Sequence, residues 1–357
     1  MRAHLRPSCA SGPGGCRHNR DARVRVGWNS DIMAVLRRAG LLELGAPPAM
    51  QPLAGGVSSD IWRVDIGGKR YCVKRALARL KVSADWRAPI ERNNYEAAYL
   101  AVVDRLVPGA VPRLIHADRS ASALVTRYLD PASYRLWKAD LMIGRVDRGV
   151  ASAVGDRLGR IHQKTANDPR VAAQFKSDAI FHAIRLEPYL LATAEAQPMV
   201  ATSLRGLARR TAATRRVLVH GDVSPKNILV GALGPILLDA ECAWYGDPAF
   251  DLAFVLNHLC LKAIHRPGDA QDFGEAFTAL ALAYLGHVDW EAKAEVEARA
   301  ASLLPGLMLA RIDGKSPVEY LTSGKEKADV RAFAIHHLTQ PLARLEALRE
   351  AWFDGLG

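Results

Sequence analysis

Cysteine is scarce in this sequence: Cys9, Cys16, Cys72, Cys242 and Cys260 are widely spaced, odd in number and form no CxxC pair. A zinc site or a disulfide framework needs clustered or matched cysteines, so neither is expected, and a reducing cytoplasm fits. Long apolar runs are missing too. The longest, near Phe277–Leu285, falls well short of the roughly 20 residues that span a bilayer. There is no internal repeat and no apolar centre of a secretory signal near the start. A dense acidic run is absent from residues 255 to 357.

What is present is an ordinary globular composition, 49% hydrophobic and 24% charged, in a chain of 357 residues that can bury a large core in one domain or two lobes. The net charge is +11, and nearly half of it sits in residues 1 to 27, where six arginines face Asp21 alone. That stretch also carries Pro7, Gly12, Pro13, Gly14 and Gly15 with almost no apolar run, and is expected to be a disordered extension over 1–30. Arginine composition without a motif behind it gives no nucleic-acid partner. Two lobes are expected to follow, at 31–130 and 131–357.

The segment from Val217 to Ala253 organises the rest. Short apolar runs at Val217–Val219, Ile228–Val230 and Ile236–Leu238 read as buried strands. The turn between the first two holds His220, Asp222 and Asn227, and the third run ends in Asp239. Acidic and amide groups thus project from strand ends into one place. A hydroxyl nucleophile needs a carboxylate to orient it and accept its proton, which Asp222 supplies. Mg²⁺ needs a few hard oxygen ligands because it keeps several waters, and Asn227 and Asp239 supply those. A base Asp, an Asn five residues on and an Asp on the next strand is the order kinases use.

HGDVSPKN followed by LLDAE and GDPAFDLA resembles the aminoglycoside phosphotransferase and choline kinase superfamily, with DAECAWYGDPAFD and WKADLMIG leaning towards its methylthioribose-kinase side. The resemblance runs from about Leu44 to the end of the chain. It implies an α+β, protein-kinase-like fold with a β-rich first lobe and a mostly helical second lobe. It implies transfer of the γ-phosphate of ATP, with Mg²⁺, to a hydroxyl of a small molecule. In that fold a lysine of the third strand binds phosphates, and Lys74 matches it. Its carboxylate partner lies on the following helix, expected over Pro89–Leu106, with Glu96 first and Glu91 second. The backbone of Arg127 and Leu129 falls at the hinge that holds adenine. The Gly55-Gly56-Val57-Ser58-Ser59 stretch, placed one strand before Lys74, reads as a phosphate-approaching loop, with Gly55, Gly56, Ser58 and Ser59 as contacts. His162, His220 and Asp251 are expected to support the catalytic turn.

Three positions stay open. Glu241 could reach metal or substrate, and Lys226 phosphate or solvent. The polar segment ARIDGKSPVEYL, with Arg311 and Asp313, could be a substrate loop or a helix connection. A protein kinase is the nearest rival, but only eleven residues separate Asp239 from Asp251, too few for a peptide-binding loop. A silent ATP-binding regulator is the second, and the retention of Lys74, Asp222, Asn227 and Asp239 stands against it. Aminoglycosides are polycations that need an acidic pocket, so a neutral or anionic sugar-like alcohol fits this chain better. Residues 178 to 213 are expected to be helices broken at Pro188 and Pro198.

Overall fold

The computed structural model describes residues 30–42, 48–53, 59–77 and 89–356. The Arg-rich start and Gly55, Gly56 and Ser58 lie outside them. A helix over 30–38 ends where Gly40 takes φ +67°, a left-handed value that costs glycine nothing.

The first lobe is a five-stranded antiparallel sheet. Its strands are β1 (Ala49–Leu53), β2 (Ser59–Ile66), β3 (Lys69–Ala76), β4 (Leu114–Asp118) and β5 (Ala123–Arg127), in spatial order β1-β2-β3-β5-β4. β2 and β3 form a hairpin. Gly67 and Gly68 turn it with φ +54° and +74°, the pair of positive values that matches strand twist. The register sets Lys74 between Ile61 of β2 and Leu124 of β5, in the middle of the sheet. A small core of Ile32, Val35, Leu36, Val64, Val73, Ala123 and Val125 backs this sheet.

The helix that crosses behind it, Arg92–Leu106, starts three residues later than the sequence pattern predicts. Its apolar face, including Ala97, Leu100 and Val103, belongs not to the small core but to the large core of the second lobe. Glu96 is therefore anchored on the second lobe while it reaches towards the first.

The second lobe is mostly helical. Its long helices are Arg148–Thr165, Pro248–His265, Ala270–Leu285, Lys293–Asp313 and Gly324–Thr339. Pro248–His265 is buried almost throughout, as its apolar sequence requires, and Asp247 caps it through Ala249 N at 3.0 Å with Pro248 in the first turn. Around it run β6 (Arg135–Leu136), β7 (Val217–Val219), β8 (Ile228–Gly231), β9 (Gly234–Leu237) and β10 (Trp244–Gly246). β6, β8 and β9 form one small sheet, and β7 pairs with β10.

One expectation needs correction. Pro188 does not break its helix: His182–Leu191 is a π-helical stretch that carries the proline inside it. The wider π turn already interrupts the α ladder, so the missing N–H of proline leaves fewer groups unsatisfied there. After Gly324–Thr339, Pro341 cannot continue the helix, and a separate one covers Leu345–Phe353. Among the described residues no helix is long and apolar enough to cross a membrane.

Candidate active site

The turn after β7 is built around Asp251, which is fully buried in the first turn of Pro248–His265. Its carboxylate accepts from His220 N at 2.7 Å and Gly221 N at 2.8 Å, while His162 Nε2 lies 3.3 Å away and His162 Nδ1 meets Tyr284 OH at 2.8 Å. Gly221 has φ +81°, and a Cβ there would lie 2.7 Å from Cys242 O, so glycine is required on both counts. Asp222 N donates to His220 Nδ1 at 3.1 Å, which makes the other ring nitrogen the N–H that donates to Leu238 O at 3.1 Å. Burial holds the His220 imidazole below its usual range, consistent with this neutral tautomer.

The turn then presents its chemistry. Asn227 donates Nδ2 to Asp222 O at 3.1 Å, and Leu238 N donates to Asn227 O at 2.8 Å. The amide nitrogen is thus engaged, which leaves the Asn227 side-chain oxygen as the group for a cation. Asp239 follows at φ +64°, a strained value for a non-glycine residue that aims its carboxylate away from the strand. It pairs with Lys74 across the cleft, and Lys74 Nζ also lies 2.9 and 2.7 Å from the two oxygens of Glu96. Glu91 is exposed, so Glu96 is the partner. Burial works against the Lys74 ammonium, but the charges of Asp239 and Glu96 outweigh it and keep the lysine charged. With one ammonium facing two carboxylates, burial raises the Glu96 carboxyl to about 7.

Asp222 has two cationic neighbours. Arg185 Nη2 lies 2.9 Å and Lys226 Nζ 3.5 Å from its Oδ2. Burial would raise this carboxyl, but the charges of Lys226 and Arg185 hold it well below the usual carboxylate range. Arg185 was not legible as a site residue. It sits in the π-helical stretch within HAIRLEPYLL, where the only available signal is one guanidinium inside an otherwise apolar helical run.

Other expected site residues take different places. Glu241 is tied to Arg92, fully buried, at 2.9 Å, so its carboxylate balances a buried charge. Asp313 pairs with Arg331 at 2.7 Å and accepts from Gln197 at 2.7 Å, tying its helix to Gly324–Thr339. Arg311 donates to Tyr189 OH at 3.1 Å and to Ser316 Oγ at 2.8 Å, and it shares the Tyr189 ring with Arg185. At the hinge, Arg127 N already donates to Arg113 O at 3.0 Å within the sheet, which leaves Leu129 as the candidate hinge donor. Ser59 is buried at the start of β2. A cavity of about 790 Å³ opens beside the hinge, lined by Tyr71, Arg127, Leu129 and Tyr134, and neither Lys74 nor Asp222 lines it. Among the described residues no cluster of three His, Cys, Asp or Glu could hold a metal.

Residues 49–305 match the sequence profile of the phosphotransferase enzyme family APH. The chain belongs to this family. Within it, the APH chain is 27% identical over 228 residues to a methylthioribose kinase from Erwinia tasmaniensis, covering 57% of each. A methylthioribose kinase from Bacillus pumilus is 25% identical over 268 residues, 67% of each chain. A probable ketoamine kinase from Klebsiella aerogenes is 25% identical over 228 residues, covering 58% of this chain and 72% of the relative. The chain spans 57% of the length of the Erwinia relative. Among solved structures, an amicoumacin kinase in complex with AMP-PNP, Ca²⁺ and Ami aligns with a TM-score of 0.55 at 16% identity, covering 92% of this chain and 99% of that one. An ethanolamine kinase from Plasmodium vivax aligns at 0.54 and 12% identity, covering 96% and 97%. At such identities the likeness is one of fold: this APH-family chain has the α+β, two-lobed kinase-like architecture.

Proposed function

We propose that the protein is an ATP-dependent phosphotransferase that moves the γ-phosphoryl group of Mg·ATP to a hydroxyl of a small molecule. The observation that carries this reading is the convergence of Lys74, paired with Glu96 and Asp239, on a turn that holds Asp222 and Asn227 together. Lys74 would hold phosphate oxygens, and Glu96 keeps it in place. Asn227 and Asp239 offer the two hard oxygens a Mg²⁺ ion needs, and the ion, when bound, neutralises the triphosphate. Asp222 remains ionised and orients the acceptor hydroxyl, accepting its proton as the phosphoryl group transfers. Arg185 and Lys226 flank Asp222, where charge moves during transfer. Little covalent work falls to the protein, so positioning and charge stabilisation carry the rate. Names of relatives point to small alcohols such as methylthioribose, ketoamines or ethanolamine as acceptors to try first.

The test is ADP release from Mg·ATP against a panel of sugars, amino alcohols, hydroxy acids and aminoglycosides. Release with one class is expected to fall at least about 10³-fold in Asp222→Ala while nucleotide binding persists. Near-normal turnover in that variant would remove Asp222 from the reaction.

A further inference from the structure

Beyond Asp222, the acceptor half of the site carries more positive than negative charge. The guanidinium carbons of Arg185, which pairs with Asp222, and of Arg311 each lie 5.7 Å from the Tyr189 ring centre. Phe254, whose ring lies 5.8 Å from the Arg185 guanidinium carbon, begins a line of side chains on the Pro248–His265 helix. His258 and Lys262 follow at intervals of four residues on the same face. Lys262 therefore lies two turns, about 12 Å, along the helix from Phe254, with its stem tilted back towards His258. The Lys293–Asp313 helix, which carries Arg311, packs against this helix.

Several polar atoms of these groups lack partners, although Arg311 Nη1 donates to Tyr189 OH and Ser316 Oγ. Lys262 is 1% exposed, makes no ion pair among the described residues, and rests over the Tyr320 ring at 4.8 Å. His258 Nε2, Arg311 Nε and Tyr320 OH are all buried without a hydrogen-bond partner. Glu319 is the nearest carboxylate, and it is exposed and paired with Lys138. Unpartnered buried donors and an unpaired buried ammonium each cost stability unless a ligand answers them. Burial and the charges of Lys138 and Arg311 pull the Lys262 ammonium down to about 7, in line with a missing anion.

We propose that the acceptor is an anionic alcohol, whose carboxylate or phosphate is held by Lys262 and Arg311 while its hydroxyl lies against Asp222. The proposal rests on the phosphotransferase reading and narrows its substrate class. It sets aside the polycationic aminoglycosides, for which this face is repulsive. Arg185 and Lys226 belong to the transferring phosphoryl group, since both already pair with Asp222. Arg311 and Lys262 stand farther out, where only the acceptor reaches.

The experiment is thermal unfolding of the full chain and of Lys262→Met, each with sodium gluconate, inorganic phosphate, glucose, glucosamine or Mg·ATP, at ionic strength matched with chloride. Gluconate or phosphate should raise Tm of the native chain by several degrees over chloride. Glucose and glucosamine should not. Lys262→Met should have a higher Tm without ligand, because the unpaired charge is gone, should lose the anion response, and should keep the Mg·ATP response. A gluconate response alone assigns a carboxylate acceptor, and a phosphate response alone a phosphorylated one. No anion response in the native chain, or an equal one in the variant, overturns the anionic acceptor while a retained Mg·ATP response leaves the kinase reading standing. Loss of the Mg·ATP response in the native chain would instead sink the kinase reading.

Discussion

At the scale of single residues, the site contains carboxylates with different jobs that the sequence alone does not separate. Asp239 and Glu241 are two positions apart, yet one faces Lys74 and the other a fully buried Arg92. Arg92 also donates to Leu77 O at 2.7 Å and Pro89 O at 3.0 Å, so Glu241 completes a buried knot that pins the start of its helix. Glu241→Gln removes a carboxylate beside that guanidinium and is expected to cost about 2 kcal/mol of stability, read by urea unfolding. Its Mg²⁺ dependence of turnover should stay unchanged, and a shift there would return Glu241 to the metal. Lys262 gives a pH signature of the opposite kind. Its folded pKa is depressed to about 7 from 10.5. Between those values the unfolded chain binds the extra proton, so this residue makes stability rise with pH across that window. The difference in stability between Lys262→Met and the native chain should therefore shrink steadily from pH 7 to pH 10. A difference that is flat with pH would show that the ammonium is not desolvated.

At the scale of elements, the turn from Val217 to Asp239 was legible because its chemistry is local. Three short apolar runs, each bounded by polar residues, announced the strands, and the spacing of Asp222, Asn227 and Asp239 announced the oxygens between them. The hairpin around Gly67-Gly68 was legible for the same reason, since two glycines with positive φ belong in such a turn. Arg185 and Lys262 were not legible because their roles depend on which helix faces lie near Asp222, and a helix period does not say what stands opposite it. Pro188 misled because a proline in sequence reads as a break, whereas packing against the core sustains a π turn around it. For Asp313, left open between a substrate loop and a helix connection, the partner Arg331 comes from another helix and was not legible either. The turn itself makes a sharp prediction. Gly221→Ala forces a left-handed φ on alanine, about 1–2 kcal/mol, and drives its Cβ towards Cys242 O. The Asp251 bonds to His220 N and Gly221 N would shift, and with them Asp222. Turnover should fall at least about tenfold, more than ATP affinity, because misplacing the base by a fraction of an ångström costs rate before binding. A loss confined to KM for ATP would show that the turn does not position Asp222.

At the scale of the whole molecule, the two lobes meet through charge as well as through packed apolar side chains, with Leu124 of β5 lying in the large core. The first sheet has its own small core, whereas the helix bearing Glu96 packs into the second lobe's large one. Lys74 bridges them, held by Glu96 on one side and Asp239 on the other. Two carboxylates around one ammonium leave negative charge that a divalent ion can answer, and the phosphates of a nucleotide can take Lys74 in exchange. Mg·ATP should therefore bind the folded chain as a clamp on both lobes. At 100-fold excess over its Kd a ligand adds about 2.7 kcal/mol, a Tm rise of roughly 5 °C in a chain of this size. Chelating Mg²⁺ with EDTA at constant ATP should remove most of that rise, because Lys74 alone then faces the triphosphate. In Asp239→Ala the rise should be small and the same with and without Mg²⁺, since the ion would keep Asn227 alone, a neutral ligand, on the second lobe. A Tm gain in Asp239→Ala that still depends on Mg²⁺ would mean that the ion is held elsewhere, and that the meeting of Lys74, Glu96 and Asp239 joins the lobes without serving the nucleotide.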